Sequence, residues 1–127
     1  MANIHVVTDY LQQEIFLTED GEVRSVILSE LGYTSLKGEE VQAAAIAYAY
    51  KIAEANQHID SILFSRQTDA AEEIAQGLAM GLNRADGSHK YAYQIYKYMD
   101  TEQEGQYTGF AKSMIGISDW SQIIKKR

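Results

Sequence analysis

Two stretches of this chain carry the pattern of buried parallel strands. In the first, Val26, Ile27 and Leu28 are bulky and consecutive, as expected of a strand buried on both faces rather than one that alternates towards water. We place this strand at residues 24–29 and the second at 59–65, because both apolar runs end abruptly in polar residues. The carboxyl ends of strands in α/β folds gather binding and catalytic groups. The polar residues that follow each run are therefore the first candidates for function.

A long helix is predicted between the two strands. It begins at Glu39 and ends near Ala55, with acidic residues in its first turn that complement the helix dipole. Its interior is rich in alanine and nearly apolar all round, which suits close packing against a neighbour. The order strand, helix, strand predicts a right-handed βαβ unit. The remaining segments are predicted as a strand or a helix lead-in at 4–7, turns at 20–21 and 83–88, and helices at 8–17, 70–80, 89–99 and 110–124, the last interrupted near Gly116.

Composition limits the classes of partner. The chain has 127 residues and a net charge of −7, which predicts a single domain and argues against nucleic acid or an anionic membrane as a partner. No apolar run approaches the roughly 20 residues of a membrane span, and no signal-peptide pattern is present at the start, so we expect a cytoplasmic location as encoded. Cysteine is absent, which excludes disulfides, thiolate zinc sites and cysteine nucleophiles.

A cluster of polar side chains is expected where the two strands end. Glu30 closes the first run, and Arg66, Gln67 and Asp69 follow the second. If the strands are parallel neighbours, these groups share one rim, and such a set equips glycosidases, phosphotransferases and metal enzymes. The alternative is structural: Glu30 pairs with Arg24 or Arg66, and Asp69 caps the next helix.

Other chemistries have weaker support. The three histidines lie far apart without the spacing of a metal site, so we expect no metal and no cofactor. No nucleophile elbow surrounds a serine, and no glycine loop fits a nucleotide. The tyrosines of one predicted helix favour core or interface packing over a sugar platform. They are Tyr91, Tyr93, Tyr96 and Tyr98.

Seven short motifs give the chain a family resemblance. In chain order they are RSVILSELGY (24–33), QAAAIAYAY (42–50), ID (59–60), RQTD (66–69), GLAMGL (77–82), KYAY (90–93) and YMDT (98–101). Their order resembles the end of a bacterial glycoside-hydrolase-like (β/α)8 family. That family is similar to the clan whose two catalytic glutamates lie on strands four and seven.

The resemblance implies a fold and a site. The fold is α/β: the last two or three strand–helix units of a (β/α)8 barrel with a C-terminal helical extension, as one domain over residues 1–127. Glu30 falls at the end of the seventh barrel strand, the position of the nucleophile, and Tyr33 lies close enough to stack on a sugar ring. The residues expected to bind substrate are Tyr33, Arg66, Gln67, Asp69 and Glu72. The implied ligand is a carbohydrate, and longer relatives could be exported.

One departure from the family pattern shapes the functional expectation. The acid/base glutamate comes from strand four, and strands one to five have no counterpart here, so this chain alone is not expected to hydrolyse glycosides. Unpaired edges of a partial sheet predict a homo-oligomer or a complementing N-terminal half-barrel. The alternative is a non-enzymatic α/β binding or assembly module, with structural carboxylates and tyrosines at the interface. Glu30 separates the two: it faces an open, aromatic-rimmed pocket in the first and is occupied by Arg24, Arg66 or a helix end in the second.

Overall fold

A computed structural model describes residues 3–124 of the chain. Within this range the fold is mixed α/β, with five α-helices and one two-stranded parallel sheet. The elements are α1 (Ile4–Tyr10), β1 (Val26–Leu31), α2 (Glu39–Glu54), β2 (Ile59–Phe64), α3 (Ala71–Ala75), α4 (Tyr91–Tyr98) and α5 (Glu104–Ile115), with short 3-10 turns at Glu14–Phe16 and Trp120–Gln122. The predicted class and the parallel pairing of the two strands are confirmed.

The two strands pair with an irregular register near their carboxyl ends. Leu28 lies opposite Ile62, and Leu31 lies opposite Phe64. Between these two pairs β1 therefore carries one more residue than β2, which is the pattern of a β-bulge. Glu30 lies inside this bulge. The predicted end of the strand at residue 29 was wrong, because β1 continues through Glu30 to Leu31.

The strands are not buried on both faces as predicted. Their side chains alternate: Leu28 and Ile62 are half-buried, whereas Ile27 is 61% exposed and Leu63 is 49% exposed. Helix α2 packs against β2, and the exposure of Ile27 and Leu63 shows that the face they share is open. The uninterrupted apolar run at residues 26–28 thus belongs to strand β1, and the face of β1 that carries Ile27 is exposed.

The core lies between helices rather than inside the sheet. Ala43 and Ala47 on α2, Ala92 on α4 and Ala111 on α5 are fully buried, and Ile95 fills the space among them. Small side chains let the helix axes approach closely, so the expectation that the alanine-rich helix packs tightly is confirmed. None of the helices within residues 3–124 has the length and hydrophobicity that crossing a lipid bilayer requires.

Three helix boundaries differ from the prediction. Residues 4–7 are helical, and α1 ends at Tyr10 instead of reaching residue 17. Helix α3 ends at Ala75 rather than 80, because Gly77 takes a left-handed φ of 84°, which turns the chain out of the helix. Helix α5 begins at Glu104 and stops at Gly116, whose φ of 81° is left-handed and confirms the predicted interruption.

Candidate functional site

Parallel pairing brings the ends of both strands to one edge of the sheet, which we call the carboxyl edge. Glu30 lies near the end of β1, and Arg66 and Gln67 directly follow β2. The Ser65–Arg66 peptide bond is cis. The carboxyl edge therefore collects a carboxylate, a guanidinium and an amide from two adjacent strands.

Glu30 is exposed and unpaired. Among residues 3–124 its carboxylate takes part in no ion pair and no hydrogen bond. Both of its expected structural partners are engaged elsewhere. Arg24 donates from Nε to the carbonyl oxygen of Phe16 at 2.9 Å, and Arg66 Nη1 lies 3.2 Å from Glu73 Oε2. The alternative in which Glu30 pairs with Arg24 or Arg66 was wrong.

Asp69, in contrast, is sealed inside the protein. Its side chain is only 5% exposed, and Oδ2 lies 2.7 Å from Nζ of Lys90, which is 2% exposed. Oδ1 accepts a hydrogen bond from the backbone N–H of Gly81 at 2.7 Å. The Lys90 ammonium also donates to Ser35 Oγ at 2.9 Å and to the carbonyl oxygen of Ala79 at 3.1 Å. All three ammonium protons thus have acceptors, as a buried charge requires.

This network assigns Asp69 a structural role. It joins the loop after β1, the loop after β2, residues 79–81 and the start of α4. The expectation that Asp69 faces the sugar-binding rim does not match this geometry, because both of its oxygens are already bound. Asp69 does not cap α3 either: the N-cap is Ala70, without a side-chain hydrogen bond.

An open cleft of about 430 Å³ lies at the carboxyl edge. This volume falls within the range of about 300–1,000 Å³ that is typical of small-ligand pockets. Its described lining comes from the end of β2, the loop before α4 and one face of α4: Phe64, Arg66, Gln67, Leu82, Tyr93, Tyr96 and Lys97. The cleft therefore contains two of the residues predicted to bind substrate, Arg66 and Gln67.

Backbone hydrogen bonds fix the floor of this cleft. The N–H of Leu82 donates to the carbonyl oxygen of Arg66 at 3.2 Å, and the N–H of Asn83 donates to that of Gln67 at 2.9 Å. The N–H of Asp69 donates in turn to the carbonyl oxygen of Asn83 at 3.0 Å. The segment after β2 is thereby held by a second stretch of extended chain. The backbone of Arg66 and Gln67 is therefore held in place by hydrogen bonds from residues 82 and 83.

The tyrosines of α4 divide between two roles. Tyr91 contacts Phe110 edge-on, and Tyr98 stacks on Tyr107, so these two pack between helices as expected. Tyr93 and Tyr96 instead line the cleft. For Tyr93 and Tyr96 the sequence pattern favoured core or interface packing over a sugar platform, and Lys97 was not predicted as a lining residue. The signal was available: positions 93, 96 and 97 follow the i, i+3, i+4 spacing of one helix face.

The two remaining predicted residues lie in different surroundings. Tyr33 is half-buried, and its ring centroid is 6.3 Å from that of Phe64. Burial, with a smaller effect from Tyr48, raises the pKa of the Tyr33 phenol, which therefore stays neutral at physiological pH. Glu72 is exposed on α3 and forms no ion pair within residues 3–124. Neither Tyr33 nor Glu72 is among the described residues that line the cleft, although Tyr33 lies near one of them, Phe64.

The site defines a mixed α/β domain with a cationic, aromatic-lined cleft at the carboxyl edge of its sheet. Glu30 lies on the same edge but is not among the described residues that line the cleft. Within residues 3–124, no three His, Asp or Glu side chains come together in a group that could hold a metal ion. Over residues 1–123 the chain matches the model of a family described as a family of unknown function (DUF5722), and it belongs to that family. No curated protein and no solved structure matches it.

Proposed function

We propose that this chain is a glycoside-hydrolase-like domain of carbohydrate-processing ancestry. It corresponds to the C-terminal part of a (β/α)8 barrel, with Glu30 in the position of the nucleophile. The observation that carries the proposal is the state of Glu30: an exposed carboxylate without a partner at the carboxyl end of a parallel strand. A structural carboxylate in this place would be expected to have a cation or a helix end beside it.

The cleft at the carboxyl edge supplies groups suited to a sugar. Exposed Tyr96 offers an aromatic surface on which a pyranose ring can stack, and the Gln67 amide both donates and accepts hydrogen bonds with hydroxyl groups. In a retaining mechanism, a Glu30 oxygen would attack the anomeric carbon while the leaving group departs from it, and water would later hydrolyse the glycosyl ester.

The site is incomplete for catalysis in this chain. A retaining glycosidase needs a second carboxyl group about 5–5.5 Å from the nucleophile to act as acid and base. Asp69 is another acid at this edge of the sheet, but its ion pair with Lys90 withdraws it from that role. We therefore expect the missing acid/base to come from a complementing N-terminal half-barrel, and we expect no turnover of glycosides by this chain alone.

Covalent trapping tests the nucleophile without requiring the missing acid. The reagent is a 2-deoxy-2-fluoroglycosyl fluoride. A Glu30 oxygen forms a bond to its anomeric carbon as the bond between that carbon and fluorine breaks and fluoride leaves, while the fluorine at carbon 2 is retained. Because fluoride departs without protonation, the reaction does not depend on an acid/base residue. The purified chain is incubated with the gluco, galacto, manno and xylo reagents, and the labelled peptide is identified by mass spectrometry.

The expected result is one glycosyl ester at Glu30, absent from Glu30→Gln. Glu40, an exposed acid at the start of α2, is the internal control and should stay unlabelled. Failure of all four reagents to label Glu30, or equal labelling of Glu40, would contradict the proposal. Hydrolysis of an aryl glycoside by the chain alone, lost in Glu30→Gln, would show instead that the site is already complete.

A second candidate is a non-enzymatic assembly module that associates with copies of itself. The open sheet face favours it, because Ile27 on β1 and Leu63 on β2 are exposed on a sheet of only two strands, each with a free outer edge among residues 3–124. If this face mediates self-association, Ile27→Ser with Leu63→Ser should convert an oligomer into a monomer in analytical ultracentrifugation. Ile15→Ser is the matched control, since Ile15 is 81% exposed and lies outside the sheet. A wild-type chain that is monomeric at micromolar concentration with a cooperative melt would exclude this candidate.

A further inference from the structure

We propose that the cleft at the carboxyl edge selects a sugar that carries an anionic substituent, either a carboxylate or a sulfate ester. The inference rests on the proposed function and specifies the class of its ligand. It depends on three features of the cleft: the sign of its charges, the state of its guanidinium group and the placement of its aromatic ring.

The charges of the cleft oppose those of the whole chain. The sequence contains 18 acidic and 11 basic residues. The described lining nevertheless includes two cations, Arg66 and Lys97, and no carboxylate. A concave surface with charges of one sign raises the local concentration of ligands of the opposite sign. The lining of this cleft therefore attracts anions, although the chain as a whole carries a net negative charge.

Arg66 is held in place but retains most of its donors. Its Nη1 atom lies 3.2 Å from Glu73 Oε2, and its side chain makes no hydrogen bond to any of residues 3–124. The side chain is 41% exposed. A guanidinium group presents five N–H donors in a planar fork that matches carboxylate and sulfate oxygens. Glu73 thus pairs with the guanidinium group by charge without accepting a hydrogen bond from it, and the N–H donors are available to a ligand.

Lys97 and the cleft aromatics place a ring next to these charges. Lys97 lies one residue after Tyr96, and both side chains are exposed on the cleft-facing side of α4. The Lys97 ammonium is 5.2 Å from the ring of Tyr98, a contact that leaves its three protons free for an anion. A pyranose stacked on Tyr96 would have its substituents within the space between Arg66 and Lys97.

A matched series of sugars tests this inference by NMR titration of the ¹⁵N-labelled chain. D-glucuronate and D-galacturonate represent the carboxylates, glucose 6-sulfate and galactose 6-sulfate the sulfate esters, and glucose and galactose the neutral parents. We expect the anionic sugars to bind roughly tenfold more tightly than their neutral parents, the effect of one added charged hydrogen bond. The perturbed amides should include those of Gln67 and residues 93–97, and raising the salt concentration should weaken only the anionic series.

Two substitutions remove the cations one at a time. Lys97→Gln affects an exposed side chain without an ion pair, so it leaves the fold intact and should lower the affinity for anionic sugars roughly fivefold to tenfold. Arg66→Gln should lower it at least as much, with a melting curve to show that the chain is folded. Lys37→Gln is the control, because Lys37 is an exposed lysine in the loop before α2 and lies outside the cleft.

The outcomes separate this inference from the proposed function. Equal binding of neutral and anionic sugars would overturn the inference and leave the proposed function standing. Binding of inorganic sulfate as tight as that of sugar sulfates would overturn it too, since the cleft would then recognise an anion without a sugar. If none of the six sugars binds, both the inference and the sugar-binding site fail. A difference between the carboxylate and sulfate arms would identify which anion the cleft prefers.

Discussion

The carboxyl edge of the sheet contains two carboxylates with opposite surroundings. Asp69 is buried, with one oxygen on the Lys90 ammonium and the other on the N–H of Gly81. Glu30 lies on the neighbouring strand, exposed and without a partner among residues 3–124. Both follow from the same βαβ arrangement. What separates them is that loop residues enclose Asp69, whereas Glu30 is exposed on strand β1.

The contrast shows how this edge divides structure from chemistry. Asp69 holds four segments of the chain together, and its burial keeps it out of reach of a ligand. Glu30 sits in a bulge of β1, a feature that re-aims a side chain and often occurs beside functional sites. Carboxylates placed in different environments commonly take different roles. We assign the sealed one to stability and the open one to function.

The largest expected change in stability comes from removing the negative charge of Asp69. Removing that of Glu30 gives the matching comparison. Asp69→Asn leaves the buried Lys90 ammonium without a counter-charge and should lower the free energy of unfolding by about 3–5 kcal/mol. Glu30→Gln removes a charge that contacts nothing and should change it by less than about 0.5 kcal/mol. Urea titrations followed by circular dichroism measure both. Equal losses for the two variants would contradict the division of roles.

A smaller effect is expected at the glycine that binds Asp69. A methyl group added to Gly81 would lie 2.7 Å from Asp69 Oδ1 and 2.6 Å from the carbonyl oxygen of Asn83. Gly81→Ala should therefore cost about 1–3 kcal/mol as the loops shift apart. Gly109→Ala is the control, because a methyl group there meets nothing within 4 Å on helix α5. That substitution should stabilise by roughly 0.5–1 kcal/mol, since glycine is a poor helix former. The same sign for both variants in thermal melts would be inconsistent with this geometry.

The smallest expected change in stability concerns an ion pair outside the carboxyl edge. It serves as a reference for the two carboxylates of that edge. Lys51 on α2 pairs with Glu104 at the start of α5 and with Glu54. Burial lowers the pKa of Lys51, but hydrogen bonds to the two glutamates outweigh it and raise the pKa above the ordinary value of 10.5. The contribution of the Lys51 ammonium to the free energy of unfolding is therefore fully present below pH 10.5, the ordinary lysine pKa. It is lost as the pH rises through the higher pKa of Lys51 in the folded protein.

The corresponding variant is Lys51→Met, which should cost roughly 1 kcal/mol at neutral pH. The difference in unfolding free energy between wild type and variant should stay constant from pH 7 to pH 10 and shrink above that. Tyrosines distant from Lys51 titrate alike in both proteins, so their contribution cancels in the difference. A difference that grows with pH would mean that Lys51 is not stabilised as a cation.

Much of the framework could be predicted from local patterns. The helix at Glu39–Glu54 has acidic residues in its first turn and an alanine-rich interior, and its boundaries were close to those observed. The second strand was placed within one residue of its observed end, because polar residues follow Phe64 so closely. Strong local signals of this kind do not depend on distant contacts.

The failures involve contacts between segments far apart in sequence. Nothing local to Asp69 or Lys90 indicates that they meet, because the ion pair depends on three loops converging on one place. The bulge that places Glu30 inside β1 arises from pairing with β2, which a single apolar run does not reveal. Tyr96 and Lys97 were recoverable from helical spacing, but only once the opposite wall at Arg66 was known.

Carboxylate footprinting tests the assignment of the two acids most directly. The folded chain is treated with a water-soluble carbodiimide and glycine ethyl ester, and the rate of amide formation at each acid is measured by mass spectrometry. We expect Glu30 to react as fast as exposed Glu40, and Asp69 to stay unmodified until the chain is unfolded in denaturant. Protection of Glu30, or modification of Asp69 in the folded chain at the rate of Glu30, would contradict the account.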